Sequence, residues 1–115
     1  MFAGYCCCDD CQKASGSGFI PFIGYAASAV TITGAVIRHK MTHTDGRKSV
    51  RNSCASCGGL VYGGDVGKSD FHTIYAGTLD DSSLFKPGMA INVRFKPGWV
   101  ILPEGIPQFE GMPPR

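Results

Sequence analysis

The chain has 115 residues, a hydrophobic fraction of 43% and a net charge of +2 at pH 7, enough for one domain with a modest core. Its lysines and arginines are scattered and give no basic stripe for a nucleic-acid surface, and no apolar run approaches the roughly 20 residues that span a bilayer. Sixteen glycines and seven prolines punctuate the sequence instead of gathering in a linker, so residues 1–115 read as a single loop-rich domain.

The densest chemistry comes first. Cys6, Cys8 and Cys11 stand in CxCxxC spacing within CysCysCysAspAspCys, which sets three sulfurs on one loop. A tetrahedral ion held this way keeps a fourth position for an exchangeable ligand, as catalytic zinc does. In an extended segment Cys7 points away from Cys6 and Cys8, so it is not expected on the same ion. Asp9 to Ser15 is a candidate helical turn, stopped by SerGlySerGly at 15–18. From Phe19 onward the pattern is β. Residues 19–25 and 29–34 are short, β-branched or aromatic, and bounded by glycine; Pro21 marks the first as an edge or bulged strand. Residues 36–40 read as the next strand, HisThrAspGlyArg at 43–47 as a hairpin turn and 48–52 as the returning strand. That strand delivers Cys54 and Cys57 in CysAlaSerCysGlyGly. Strands are expected again at 60–62 and 71–75, then a turn or short helix at 79–85 capped by Asp80 or Asp81. PheLysProGly at 85–88 and 95–98 gives two turns around a strand at 90–94. The proline-rich tail is expected to be extended and irregular.

Other features read as structural. His39, His43 and His72 have no ligand spacing and are assigned to the surface or to edge strands. GlyGlyAspValGlyLysSer at 63–69 resembles a phosphate-binding loop but has Tyr62 where that motif needs glycine, so a polar loop is expected. Trp99 is taken as a core anchor.

The cysteine clusters admit two metal arrangements. Cys8 with Cys11 and Cys54 with Cys57 form two CxxC knuckles that would supply four sulfurs to one ion, although residues 12–53 make a longer span than a zinc finger or ribbon uses. The second arrangement is the open site of Cys6, Cys8 and Cys11. Disulfides are the rival reading. Met1 leads into PheAlaGlyTyr with neither a basic start nor an apolar stretch, so no signal peptide is expected, and adjacent cysteines cannot bridge one another without strain. Reduced thiols place the protein in the cytoplasm.

The sequence resembles the glutathione-dependent formaldehyde-activating enzyme family, whose domain also occurs in centromere protein V. The matching segments are CysCysCysAspAspCysGlnLysAlaSerGlySerGlyPhe at 6–19, ArgAsnSerCysAlaSerCysGlyGly at 51–59, GlyThrLeuAspAsp at 77–81 and ProGlyTrp at 97–99. The resemblance implies a mainly β fold, a compact zinc-bound complex of short β-sheets with little helix. It implies that Cys6, Cys8 and Cys11 hold a catalytic zinc, and that Cys54 and Cys57 share a structural zinc with a CxC pair on the family's first strand. The activity it implies joins glutathione to formaldehyde to give S-hydroxymethylglutathione, a carbon–sulfur lyase reaction run in reverse. That first strand and its CxC pair are expected to be missing here, which leaves two of the four structural ligands and a homo-oligomer as one way to complete them. The substrates implied are a glutathione-like thiol and an aldehyde. The alternatives are a non-catalytic zinc-stabilised β binding module and a truncated family member without activity. No general base can be named from the sequence.

Overall fold

Strands Phe2–Cys6 (β1), Ile20–Ala26 (β2), Val36–Thr42 (β3), Lys48–Cys54 (β4), Leu60–Gly63 (β5), Phe71–Tyr75 (β6) and Ala90–Ile91 (β7) form one mixed sheet in the order β3-β4-β5-β6-β2-β1-β7. This is a computed structural model, and it describes residues 1–43 and 46–114. The mainly β expectation holds, with the strands joined in a single sheet instead of several. One α-helix, Asp9–Ser15 (α1), accompanies the sheet together with short 3₁₀ turns. None of the helices among the described residues is long and apolar enough to cross a membrane.

Local chemistry accounts for most boundaries. α1 starts at Cys8, whose extended backbone and sulfur cap it, and ends at Gly16 in the left-handed region, a conformation glycine adopts without steric cost. β3 and β4 pair antiparallel from Val36↔Cys54 to Thr42↔Lys48, as a hairpin should. Of the turn expected at 43–47, Thr44 and Asp45 lie outside the described residues, while the His43 carbonyl accepts from the Gly46 N–H. The turn at 82–84 is capped by the Asp81 carboxylate. Arg38 reaches across to Asp65 with a bidentate ion pair at 2.7 and 2.9 Å, tying β3 to the polar loop after β5.

Four expectations are corrected. Pro21 does not mark an edge or a bulge, because β2 lies between β1 and β6. Tyr5, its partner on β1, sends its own N–H to Met89. Pro21 is therefore at a non-hydrogen-bonded pair with β1, and the ladder to β6 begins only at Phe22↔Tyr75. The absent donor would have met no partner. Residues 29–34 make no strand despite their β-branched side chains: Val30 closes a 3₁₀ turn onto Ala27 and Thr31 to Gly34 join no ladder. Propensity selects a pleated surface only where a neighbouring strand supplies it. The strand at 90–94 is cut to two residues by Asn92, which adopts φ 55 and turns the chain into a 3₁₀ segment. Trp99 is 70% exposed, and Val100, 5% exposed, enters the core in its place.

The sheet's two faces alternate as strand geometry requires. Ile23, fully buried, packs on one face, with Tyr62 and His72 nearby in the register. The opposite face carries Phe2, Phe22, Thr73 and Tyr75 and forms the floor of a cavity of ≈ 700 Å³. Ile23→Ala should cost about 2–5 kcal/mol of unfolding free energy through the void it leaves, whereas Val36→Ala on the exposed edge strand should stay within about 0.5 kcal/mol; urea titration of both variants checks the contrast.

Candidate metal centre

β1 runs out at Cys6, and the next two residues turn the chain into α1. Cys8 caps that helix, its Sγ accepting the Cys11 N–H at 3.3 Å, so the sulfur sits where helix N–H groups favour negative charge. Cys11 follows within the first turn and is buried. The outcome is that the Sγ atoms of Cys6, Cys8 and Cys11 all lie within 4.8 Å of one another. An ion bonded to each sulfur at about 2.3 Å in tetrahedral geometry needs them roughly 3.8 Å apart. The three donors fit a thiophilic metal with little rearrangement.

The surroundings favour negative sulfur. Hydrogen bonds from Cys11 and then from Cys8 pull the Cys6 thiol down to about 3, against the opposing effect of burial, and the Asn92 amide adds a donor at 3.4 Å. Cys11 is pushed up, first because it holds the proton donated to Cys6 and then to Cys8. Three sulfurs this close share protons until a cation replaces them. Arg51 supplies one positive charge, its Nη2 donating to Cys11 Sγ at 3.6 Å. Burial pulls the guanidinium down, but attraction to Cys11 and its hydrogen bond outweigh that and leave it raised. Arg51 is 7% exposed, and it also touches the Met41 sulfur.

The sulfurs open onto the cavity. Ile20, Phe22 and Ile91 give it apolar walls, Arg47 and Lys48 bring basic side chains, and Tyr75 contributes a phenol that burial pushes up to about 12. That phenol is a neutral hydrogen-bond donor at physiological pH.

Of the five cysteines singled out in sequence, the structure gathers three. Cys54 and Cys57 do not join them, so the single four-sulfur arrangement with Cys8 and Cys11 is not formed, and among the described residues no third histidine, cysteine or carboxylate completes a group around that pair. Both are free thiols, with Cys57 exposed. N–H groups of Cys57 and Ser56 lower the Cys54 thiol. Cys7 is fully buried and outside the group, as strand alternation implied.

Two histidines are corrected. His72 is buried, its Nδ1 donating to the Gly63 carbonyl at 3.2 Å. His43 has a side chain only 15% exposed and engages both ring nitrogens, Nδ1 with Asp10 Oδ2 at 2.6 Å and Nε2 with Ser49 Oγ at 2.8 Å. His43 and Ser49 line the same cavity as the three sulfurs. Neither they nor Arg51 and Asn92 stand out as site residues in the sequence, because each is brought to the site by the fold and not by spacing: Ser49 and Arg51 by the register of β4, His43 by the end of β3 and Asn92 by the turn after β7. Arg51 did carry a signal, in the ArgAsnSerCys segment.

The model of the glutathione-dependent formaldehyde-activating enzyme family matches residues 1–94. The chain belongs to that family. The match takes in all seven strands and α1, and family membership points to glutathione and formaldehyde as substrates. No curated protein matches the chain.

In metal-free reduced protein, alkylation mapped by mass spectrometry should reach Cys57 and Cys54 first and the buried Cys7 last. The reaction at Cys54 should reach half its plateau below the pH 9.0 of an ordinary thiol, since its lowered pKa keeps thiolate present at lower pH.

Proposed function

We propose that this chain, working as one domain over residues 1–115 in the cytoplasm, is a zinc enzyme that joins a glutathione-like thiol to formaldehyde and cleaves the same adduct, with Cys6, Cys8 and Cys11 as the ligands of the reactive ion. The observation that carries the reading is the meeting of three sulfurs at the wall of a cavity large enough for a peptide thiol. Cys6, Cys8 and Cys11 would hold the ion by three sulfurs, and zinc bound there would supply the acidity that turns a substrate thiol into the nucleophilic thiolate.

The protein's own groups supply the rest. The apolar walls keep water from competing for the aldehyde. Arg47 and Lys48 provide positive charge for the carboxylates of a peptide thiol. Arg51 offsets the negative charge that three cysteines leave around a divalent ion, and Asn92 and the α1 N-terminus hold two of the sulfurs in place. Together these contacts pre-set the ligands before substrate arrives.

Cys54 and Cys57 are proposed as half of a second, structural zinc site, completed by the same pair from another copy of the chain. The exposure of Cys57 and the lowered Cys54 thiol support that reading.

Zinc-loaded wild type should turn over formaldehyde and glutathione, and Cys8→Ser should lose both the reactive ion by elemental analysis and at least about 10²-fold in kcat; full activity in Cys8→Ser rejects the zinc mechanism. Arg51→Met should weaken zinc binding by about 10–100-fold in competition with a chromophoric chelator. Complete removal of zinc should lower the melting temperature by many degrees, because binding to a structural site is folding free energy. If the second site exists, zinc exceeds one ion per chain and the protein elutes as a dimer, and Cys57→Ser returns it to one ion and a monomer.

A further inference from the structure

Asp10, His43 and Ser49 form a continuous line of hydrogen bonds from α1 to the cavity, and neither the family match nor the metal centre accounts for it. We infer that this line is a proton relay serving the aldehyde oxygen, with Ser49 as the group that touches substrate; the inference rests on the thiol–aldehyde reading above.

The protonation pattern follows from the partners. A carboxylate only accepts, so the 2.6 Å contact to Asp10 Oδ2 places a proton on His43 Nδ1. Nε2 is then the acceptor in the neutral ring, and the Ser49 hydroxyl donates to it at 2.8 Å. When His43 takes a second proton the roles reverse: Nε2–H donates to Ser49 Oγ, and the serine O–H turns free to point into the cavity. The His43 side chain is 15% exposed and that of Asp10 37%, so the line runs from the rim at α1 inward to the cavity. The other charged groups around the cavity are Arg47 just before β4, Lys48 at its first residue and Arg51 further along it, facing the thiols of Cys6, Cys8 and Cys11.

The reaction needs such a group. Attack of the thiolate on formaldehyde forms a carbon–sulfur bond and moves the carbonyl π pair onto oxygen. Ser49 gives that oxygen its proton while Nε2–H restores the serine, leaving a neutral hydroxymethyl thioether and a neutral imidazole. The proton lost by the substrate thiol returns to His43 through solvent, so thiol plus aldehyde equals product with no other reactant. In cleavage the hydroxyl proton passes to Ser49 and on to Nε2, and the carbon–sulfur pair leaves on sulfur. Synthesis therefore requires the protonated ring and cleavage the neutral one.

The test compares zinc-loaded wild type, His43→Gln and Ser49→Ala, with kcat and KM for synthesis from formaldehyde and glutathione and for cleavage of the adduct followed by NMR. Both variants should keep their zinc and melting temperature and lose about 10²-fold or more in kcat in both directions with KM little changed. A second readout is independent of turnover: imidazole ¹⁵N spectra of wild type should show Nδ1–H in the neutral ring, and Ser49→Ala should shift Nε2. Wild-type kcat in either folded variant overturns the relay, as does a neutral ring protonated on Nε2. If those results occur while Cys8→Ser is inactive, the relay alone is wrong. If Cys8→Ser is fully active the zinc mechanism is wrong, and if wild type shows no turnover of thiol and aldehyde, both fall.

Discussion

Three thiol sulfurs within 4.8 Å of one another cannot all be anions unless positive charge lies close by. Like charges at that separation repel by several kcal/mol at the intermediate dielectric of a partly buried site. The surrounding structure answers that constraint from three directions: the N-terminus of α1 at Cys8, the Asn92 amide at Cys6 and the Arg51 guanidinium at Cys11. Each comes from a different part of the sequence, and each would be an odd feature alone. Asn92 occupies a left-handed backbone position and Arg51 is a buried cation. Around a triad that carries negative charge, both are compensated.

Room for the cavity is set by the absence of side chains in the floor. One row of the sheet runs Phe2, Gly24, Thr73, Gly63 and Arg51 across five strands. At Gly24 a Cβ would collide with the Phe2 ring, and at Gly63 it would lie 2.5 Å from Thr73 Oγ1 and 3.0 Å from the Tyr75 hydroxyl. These glycines let the aromatic and hydroxyl groups of neighbouring strands lie down across the sheet. Glycine weakens a strand interior by its entropy, yet here pairing on both sides holds the backbone. The sheet thus gives up local propensity where it gains a shaped surface.

The sequence was legible where a feature depends on nearby residues. α1, with its glycine stop, and strands β3 to β6 were read close to their observed limits, as were the three clustered sulfurs and the separation of Cys7 from them. It was illegible where a distant partner decides. Residues 29–34 have strand composition but no strand beside them, and Pro21 sits inside the sheet because of where two other ladders begin and end. Trp99 looked buried by residue type, but the short turn at Pro97 and Gly98 gave the inward place to Val100. His43 had no ligand neighbour in sequence and was set aside, although the β3–β4 hairpin carries it to Asp10 on α1.

β4 joins these elements, since Ser49 and Arg51 lie two residues apart and both reach toward α1, one through His43 and the other to Cys11. Period-two alternation makes that placement a single property of register, and a slip of one residue would turn Val50 and Asn52 toward the sulfurs instead. The strand must still continue to Cys54. Its pairing with β5 shifts between Asn52 and Ser53, from Asn52↔Tyr62 to Ser53↔Leu60, so Val61 is the extra residue of a bulge. Such a bulge bends the chain and absorbs one residue locally. It lets the CxxC end of the hairpin take its own course while Arg51 stays on the Cys11 side, separating the geometry of the two cysteine clusters although one strand serves both.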